Sequence, residues 1–257
     1  MCNKLFVLIY LVFVPAGCVW AQKKIIPMAY IKGGYYTPLY SSDSQRVYVQ
    51  PFYIDAYPVT NSDFLIFVEK YPEWRKSKVK KLFADTLYLS YWSSDISVEK
   101  KYLHSPVVYV SWYAAKAYCA CQGKRLPTTA EWELVAQASQ TQMDASKDTL
   151  FTKWILSTLS EKAKTQLHDV GMFKNYYGVY DMHGLVWEWT YDFNSALTTG
   201  ESRGNASLDN TFFCGGGSYS SKDLTNYVAF LRYALRSSLK ANYTVQNLGF
   251  RCVKNIK

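Results

Sequence analysis

The sequence predicts a single globular domain of irregular or β-rich character, carrying a few short capped helices. Three observations lead there. Hydrophobic residues make up 49% of the 257-residue chain and charged residues 19%, which supplies apolar surface for a core and excludes a disordered chain. Aromatic residues reach 17%, with 23 Tyr and 8 Trp, so the core is expected to rest on ring packing rather than on long aliphatic helices. No internal repeat or low-complexity run divides the chain, and about 230 residues remain for one domain once the leader is set aside.

The first residues read as a leader. Lys4 gives a basic start, Leu5 to Val14 is an apolar run, and Val19-Trp20-Ala21 resembles a small-residue cleavage site before Gln22. The run is short for a bilayer span. The expectation is a signal peptide over 1–21, a domain over 22–257, and export to the periplasm or outer membrane. Pro15-Ala16-Gly17-Cys18 offers a second reading, because it resembles a lipoprotein box with an unfavourable Pro at its first position. A lipid anchor at Cys18 follows from that reading.

Along the mature chain, Ile25 to Tyr36 is an apolar strand ending in the turn pair Gly33-Gly34, and Val47 to Ala56 alternates as a second strand. Thr60 with Asp63 three residues on caps a helix whose apolar face is Phe64, Phe67 and Val68, and Tyr71-Pro72 ends it. Lys76 to Lys101 reads as an irregular insertion with Tyr88, Tyr91 and Trp92 folded back. Pro106 to Val110 suggests a short strand. Ser111 caps a slim, alanine-rich helix from Trp112 to Gln122 that stops at Gly123. Thr128 and Glu131 form a capping box opening Thr129 to Ala138. Gln140 to Lys164 carries little signal. From Tyr176 on, helical periodicity fades and short strands and loops are expected, with a bend at Gly215-Gly216-Gly217 and a closing strand from Leu248 to Val253.

The richest stretch is 178–193, GVYDMHGLVWEWTYDF. On a strand, Trp187 and Trp189 point one way and Glu188 the other. A carboxylate between two indoles needs a partner: an Arg, backbone N–H groups or a cation. Asp181 lies seven residues upstream across a turn. Two carboxylates meeting there, with turn carbonyls between them, would suit a hard cation such as Ca²⁺. The competing reading is an Arg-paired Glu in an aromatic core.

Cysteine and charge narrow the classes further. Outside the leader stand Cys119, Cys121, Cys214 and Cys252, an even set that suggests disulfides in an exported chain and allows three pairings. Zinc is disfavoured, because Cys-x-Cys is a weak metal spacing and the chain has only His104, His168 and His183. The net charge of +9 is scattered through loops without a nucleic-acid motif, so no nucleic-acid partner is expected.

Several motifs fall in one order: PVVYVSW from Pro106, Ala117-Tyr118-Cys119, GKRLPT from Gly123, Glu131-Trp132-Glu133, Tyr180-Asp181-Met182, VWEW from Val186, Gly216-Gly217-Ser218 and Leu248-Gly249-Phe250-Arg251. The order resembles the sulfatase-modifying-factor, or formylglycine-generating enzyme, family, from about Ile26 to Val253. The resemblance implies a single α+β domain related to C-type lectins, with little regular secondary structure. It implies a disulfide between Cys119 and Cys252, worth ~4 kcal/mol in the chain-entropy model. It also implies a calcium site from the side chains of Asp181 and Glu188 and the carbonyls of Gly184 and Val186. Leu185 departs from that pattern, standing where the family usually has Asn. The family's second disulfide has no counterpart here, which leaves Cys121 and Cys214 as thiols or as a replacement bridge.

The catalytic segment departs most. Aerobic members use two cysteines just after the Gly-Gly-Ser turn to hold copper and exchange with a substrate thiol. Here the segment reads SYSSKDLTNY from Ser218, with Ser221 at the first cysteine position and no sulfur at all. Soft Cu(I) prefers thiolate, and a hydroxyl cannot undergo thiol exchange, so copper is not expected. Trp187, Ser218 and Asn247 match residues lining the family's active cleft. Non-haem iron would need a facial triad, for which three scattered His are a poor basis. The implied function is a binding, assembly or maturation accessory module of the cell envelope, of the kind associated with gliding and secretion machinery, holding a peptide or protein partner. The alternative is an oxidoreductase with altered metal or thiol chemistry through Cys121 or Cys214. Lectin-like ligand binding rests on fold analogy alone.

Overall fold

The computed structural model describes residues 26–38, 46–161, 167–194 and 224–256. The architecture is α+β, with short strands at the two ends of the described chain and helices between them. Strands β1 (Met28–Ile31) and β2 (Gly34–Tyr36) pair antiparallel with β4 (Phe52–Asp55) and β3 (Val47–Val49). The predicted strands are thus each broken once, at facing positions. Gly33 adopts φ +78°, and a Cβ there would lie 2.4 Å from the Val49 carbonyl oxygen, opposite Gln50-Pro51. Only glycine accepts both the backbone and the close approach. The last strand, β7 (Val253–Asn255), adds to the other edge of β4, giving the order β1-β4-β7.

Helix α1 (Asn61–Lys70) starts at Thr60, whose hydroxyl accepts from the Asp63 N–H and donates to the Asp63 carboxylate at 2.6 Å. Phe64, Phe67 and Val68 are its buried face. The insertion after it is irregular, with Tyr88 and Trp92 buried. Asn61 anchors that insertion: its carbonyl accepts from the Tyr91 hydroxyl and from the Trp92 indole. The strand expected over 106–110 does not form. Tyr109 sits at φ +53°, which interrupts an extended ladder, and the segment instead makes single bonds to Val59 and Val245. Helix α2 (Trp112–Cys121) is capped by Ser111 and ends before Gly123 at φ +68°. Helix α3 (Thr129–Ala136) opens on the reciprocal Thr128–Glu131 capping box.

Two helices are not expected from the sequence, one in a stretch of little signal and one where strands and loops are expected. Helix α4 (Thr149–Glu161) begins where the Asp148 carboxylate accepts from the Leu150 and Phe151 N–H groups. Helix α5 (Leu224–Ser238) corrects the expectation of strands and loops after Tyr176. Its inward face carries Arg232 and Arg236 beside Val228, so two cations sit on the buried side of the helix.

The core divides in two. One cluster is rich in rings, with Phe64, Phe67, Trp92, Tyr118, Trp189 and Phe250 packed around α1 and α2. The other joins the strands to α3 through Ile31, Phe52, Ile54, Trp132, Leu134 and Val253. Cys119 on α2 is bonded to Cys252, closing a separation of 133 residues. That separation raises the chain-entropy value to about 5 kcal/mol, above the ~4 expected from the resemblance.

Candidate functional site

The stretch 178–193 lies where these parts converge. Short strand β5 (Trp187–Glu188) pairs in parallel with β6 (Leu248–Gly249). Both faces of the strand are covered: Glu188 on one side and Trp189 on the other are buried, and Trp187 is half-buried. Glu188 meets Arg251, which is fully buried. The guanidinium Nη2 donates to Oε1 at 2.7 Å and Nε donates to Oε2 at 2.8 Å, a bidentate pair. The Trp132 indole donates to Oε2 at 2.8 Å. Arg251 spends its remaining donors on the carbonyls of Tyr180, Asp55 and Ala56. Beside it, Lys124 pairs with Asp55; burial raises that carboxyl above its ordinary value and the ammonium opposes the rise.

Asp181 is committed elsewhere. It sits at φ +58°, and its carboxylate accepts from the N–H groups of Gly171, Met172 and Phe173 at 2.5 to 2.9 Å. The calcium expectation for Asp181, Gly184, Val186 and Glu188 therefore does not fit the residues as arranged. One carboxylate faces a row of backbone donors and the other a buried guanidinium, whereas a hard cation needs their oxygens turned to one point. Among the described residues no group of three His, Cys, Asp or Glu side chains is placed to hold a metal. The Arg-paired alternative is the arrangement present.

Trp187 and Asn247 are brought together, the Trp187 N–H donating to the Asn247 carbonyl at 2.7 Å. Ser218, Ser221 and Cys214 lie outside the described residues. Gly184, Val186 and Trp187 line a crevice of only about 10 Å³, walled by Ile155 and Leu159 of α4 and Val228 and Arg232 of α5. That is room for about one water. Below it, Glu133 of α3 receives Arg232 at 2.7 Å and Arg236 at 2.6 Å, and both guanidiniums lie over the Trp132 ring. Burial pushes the Glu133 carboxyl up, but the two guanidiniums outweigh it and hold the group down at about 2. Burial also raises the Tyr36 phenol well above its ordinary value, with the Glu133 charge adding to the rise.

The open cavity lies on the other side of Met182 and His183. It measures about 370 Å³ and is framed by the turn 138–141, the start of α4 and residues 173–175. Four rings form one part of its wall, and Ser139, Gln140, Thr141, Asp148 and Asn175 add polar groups. Phe151 and Trp154 stack at 5.8 Å, Trp154 meets Phe173 edge-on at 4.7 Å, and His183 stands perpendicular to Phe151 at 5.7 Å. His183 is buried and its Nε2 bonds the Ala136 carbonyl at 2.7 Å. Asn175 is absorbed by its own turn, accepting from Tyr177 and Val179 and donating to Val135. Lys174 stays exposed at the mouth, 6.0 Å over the Tyr180 ring. The exposed Leu150 also lines the cavity. Sequence reasoning missed this wall. The only local signal was Phe151 and Trp154 at i, i+3, a spacing that places two rings on one helix face.

The family model for the sulfatase-modifying factor enzyme 1-like domain matches residues 12–256. The chain belongs to this family. Among its relatives, the serine/threonine-protein kinase pkn1 of Chlamydia caviae is 31% identical over 92% of this chain and 39% of its own length. The formylglycine-generating enzyme of Mus musculus is 30% identical over 81% of this chain and 67% of its own. The inactive C-alpha-formylglycine-generating enzyme 2 of Bos taurus is 33% identical over 57% of this chain and 61% of its own. The chain thus spans about two fifths of the chlamydial relative. Names that differ this widely on one shared domain leave the activity to be argued from the residues.

Proposed function

We propose that this member of the sulfatase-modifying-factor family is a binding module, an assembly or maturation accessory of the cell envelope without formylglycine-generating activity of its own. One observation carries the reading. Beyond Gly215-Gly216-Gly217 the only cysteine is Cys252, and it is bonded to Cys119. A thiolate pair for Cu(I) and a thiol for exchange with substrate are both missing from the segment that supplies them in aerobic members. One relative is itself named as an inactive formylglycine-generating enzyme.

What remains supports binding. The ring-lined cavity of about 370 Å³ offers a slot for one large apolar side chain of a peptide or protein partner, with the Lys174 ammonium at its mouth. The leader sequence supports a site of action outside the cytoplasm. Two measurements test the reading. The purified protein, incubated with Cu(I), oxygen and a cysteine-containing sulfatase peptide, is expected to leave the peptide mass unchanged; conversion of cysteine to formylglycine ends the proposal. A displayed peptide library is expected to yield sequences with an aromatic or large aliphatic anchor on the wild type and none on Trp154→Ala. Equal enrichment on both would remove the cavity from the account.

A further inference from the structure

The hairpin of β1-β2 with β3-β4 has a second face that the core does not use. Ile31 pairs with Phe52 and Gly34 with Val49 on the inner side, where Ile31, Phe52 and Val49 are buried. The pairs that flank them, one step further out on each side, point the other way. Tyr30 stands opposite Tyr53, and Tyr35 opposite Tyr48. All four rings are 38 to 60% exposed, unusual for side chains of this size. The two pairs are five residues apart along the chain from Tyr48 to Tyr53, or roughly 17 Å at ~3.4 Å per residue.

Among the described residues of these strands and their ends, the exposed charges are all positive. Tyr53 pairs with Lys254 on β7, Lys32 lies between the two tyrosine pairs, and Arg46 precedes β3; all three cations are exposed. The only acidic residue in these strands is Asp55, which is buried and bound to Lys124. Ile256, just past β7, adds exposed apolar surface.

We propose that this outward face docks on an anionic phospholipid surface. Phenol rings that end in a hydroxyl suit the boundary between acyl chain and headgroup, and exposed lysines and arginines there are drawn to anionic lipid. The rings argue against a flat stacking ligand. Tyr30 and Tyr53 are inclined at 55°, and Tyr35 and Tyr48 at 62°, so the rings stand as separate ridges with no coplanar platform for a sugar or a base. No described helix is long and apolar enough to cross a membrane. The face is separate from the ring-lined cavity and does not depend on acylation of Cys18.

The test uses the full chain, unacylated, sedimented with phosphatidylglycerol/phosphatidylcholine vesicles and with pure phosphatidylcholine vesicles. Wild type is expected to partition to the anionic vesicles and to be released by half-molar salt. Lys32→Glu/Lys254→Glu is expected to weaken partition at least tenfold while its melting temperature stays with wild type. Tyr30→Ser/Tyr53→Ser is expected to weaken it similarly, and Tyr30→Phe/Tyr53→Phe, which keeps both rings, controls for folding and is expected to bind. Equal partition of wild type and the charge-reversed variant overturns the proposal, as does equal binding to the two vesicle types. Retention on heparin without binding to vesicles overturns it in favour of a soluble polyanion.

Discussion

Replacing Glu188 by Gln removes one charge and changes almost no volume. It leaves the Arg251 guanidinium, which has no solvent exposure, without its counter-charge. Removing one partner of a buried pair costs about 3–5 kcal/mol, because the remaining ion keeps its desolvation penalty. The Trp132 indole and three bonds from Arg251 end on this one carboxylate, which places the variant toward the upper part of that range. For a chain of this size each kcal/mol moves the melting temperature by about 2–4 °C, so the expected drop is roughly 6–20 °C. Calorimetry or denaturant unfolding reads it. Adding Arg251→Met to Glu188→Leu removes both charges, and the double variant is expected to lose less than the sum of the singles. A second arm separates the ion pair from a cation. With the carboxylates held by Arg251 and by backbone donors, EDTA is expected to leave the wild-type melting temperature unchanged. A drop of several degrees with EDTA, restored by Ca²⁺, would refute the reasoning, as would additive single variants.

Two further outcomes follow from the same geometry. Glu133 has a folded value of about 2 against an ordinary 4.5, so its contribution is complete above about pH 4.5 and is lost as pH falls toward 2. The shift corresponds to roughly 3 kcal/mol; Glu133→Gln is expected to flatten the stability-versus-pH curve across that window, and an unchanged slope would count against the Arg232–Glu133–Arg236 cluster. Gly33→Ala forces a Cβ to within 2.4 Å of the Val49 carbonyl at φ +78°, and a loss of about 1–3 kcal/mol is expected in urea unfolding, whereas a neutral result would mean the hairpin does not kink there.

Local chemistry made much of the scaffold legible. Ser111, Thr128 with Glu131, and Thr60 each announce a helix start because a hydroxyl three residues ahead of a donor has one productive use. Gly123 marks a stop, and Gly33-Gly34 marks a break, because only glycine tolerates the backbone those places need. The ordered motifs identify the family, and the residues of 218–227 show the missing sulfur without any coordinates.

What the sequence determined by itself was therefore the family, the helix boundaries around α1 to α3 and the loss of the cysteine pair. Tertiary structure alone decided what answers each buried charge. Glu188 sits between two tryptophans whether its partner is Arg251, 63 residues away, or a cation, and spacing cannot choose between them. Arg232 and Arg236 make α5 look unlike a core helix until Glu133, about a hundred residues earlier, is placed against them. The cavity likewise arises from Phe151, Trp154, Phe173 and His183 meeting across three segments. The physical reason is common to all of these: caps and glycine turns are fixed by neighbours within one turn of chain, whereas the partner of a desolvated charge or ring is fixed only by long-range packing.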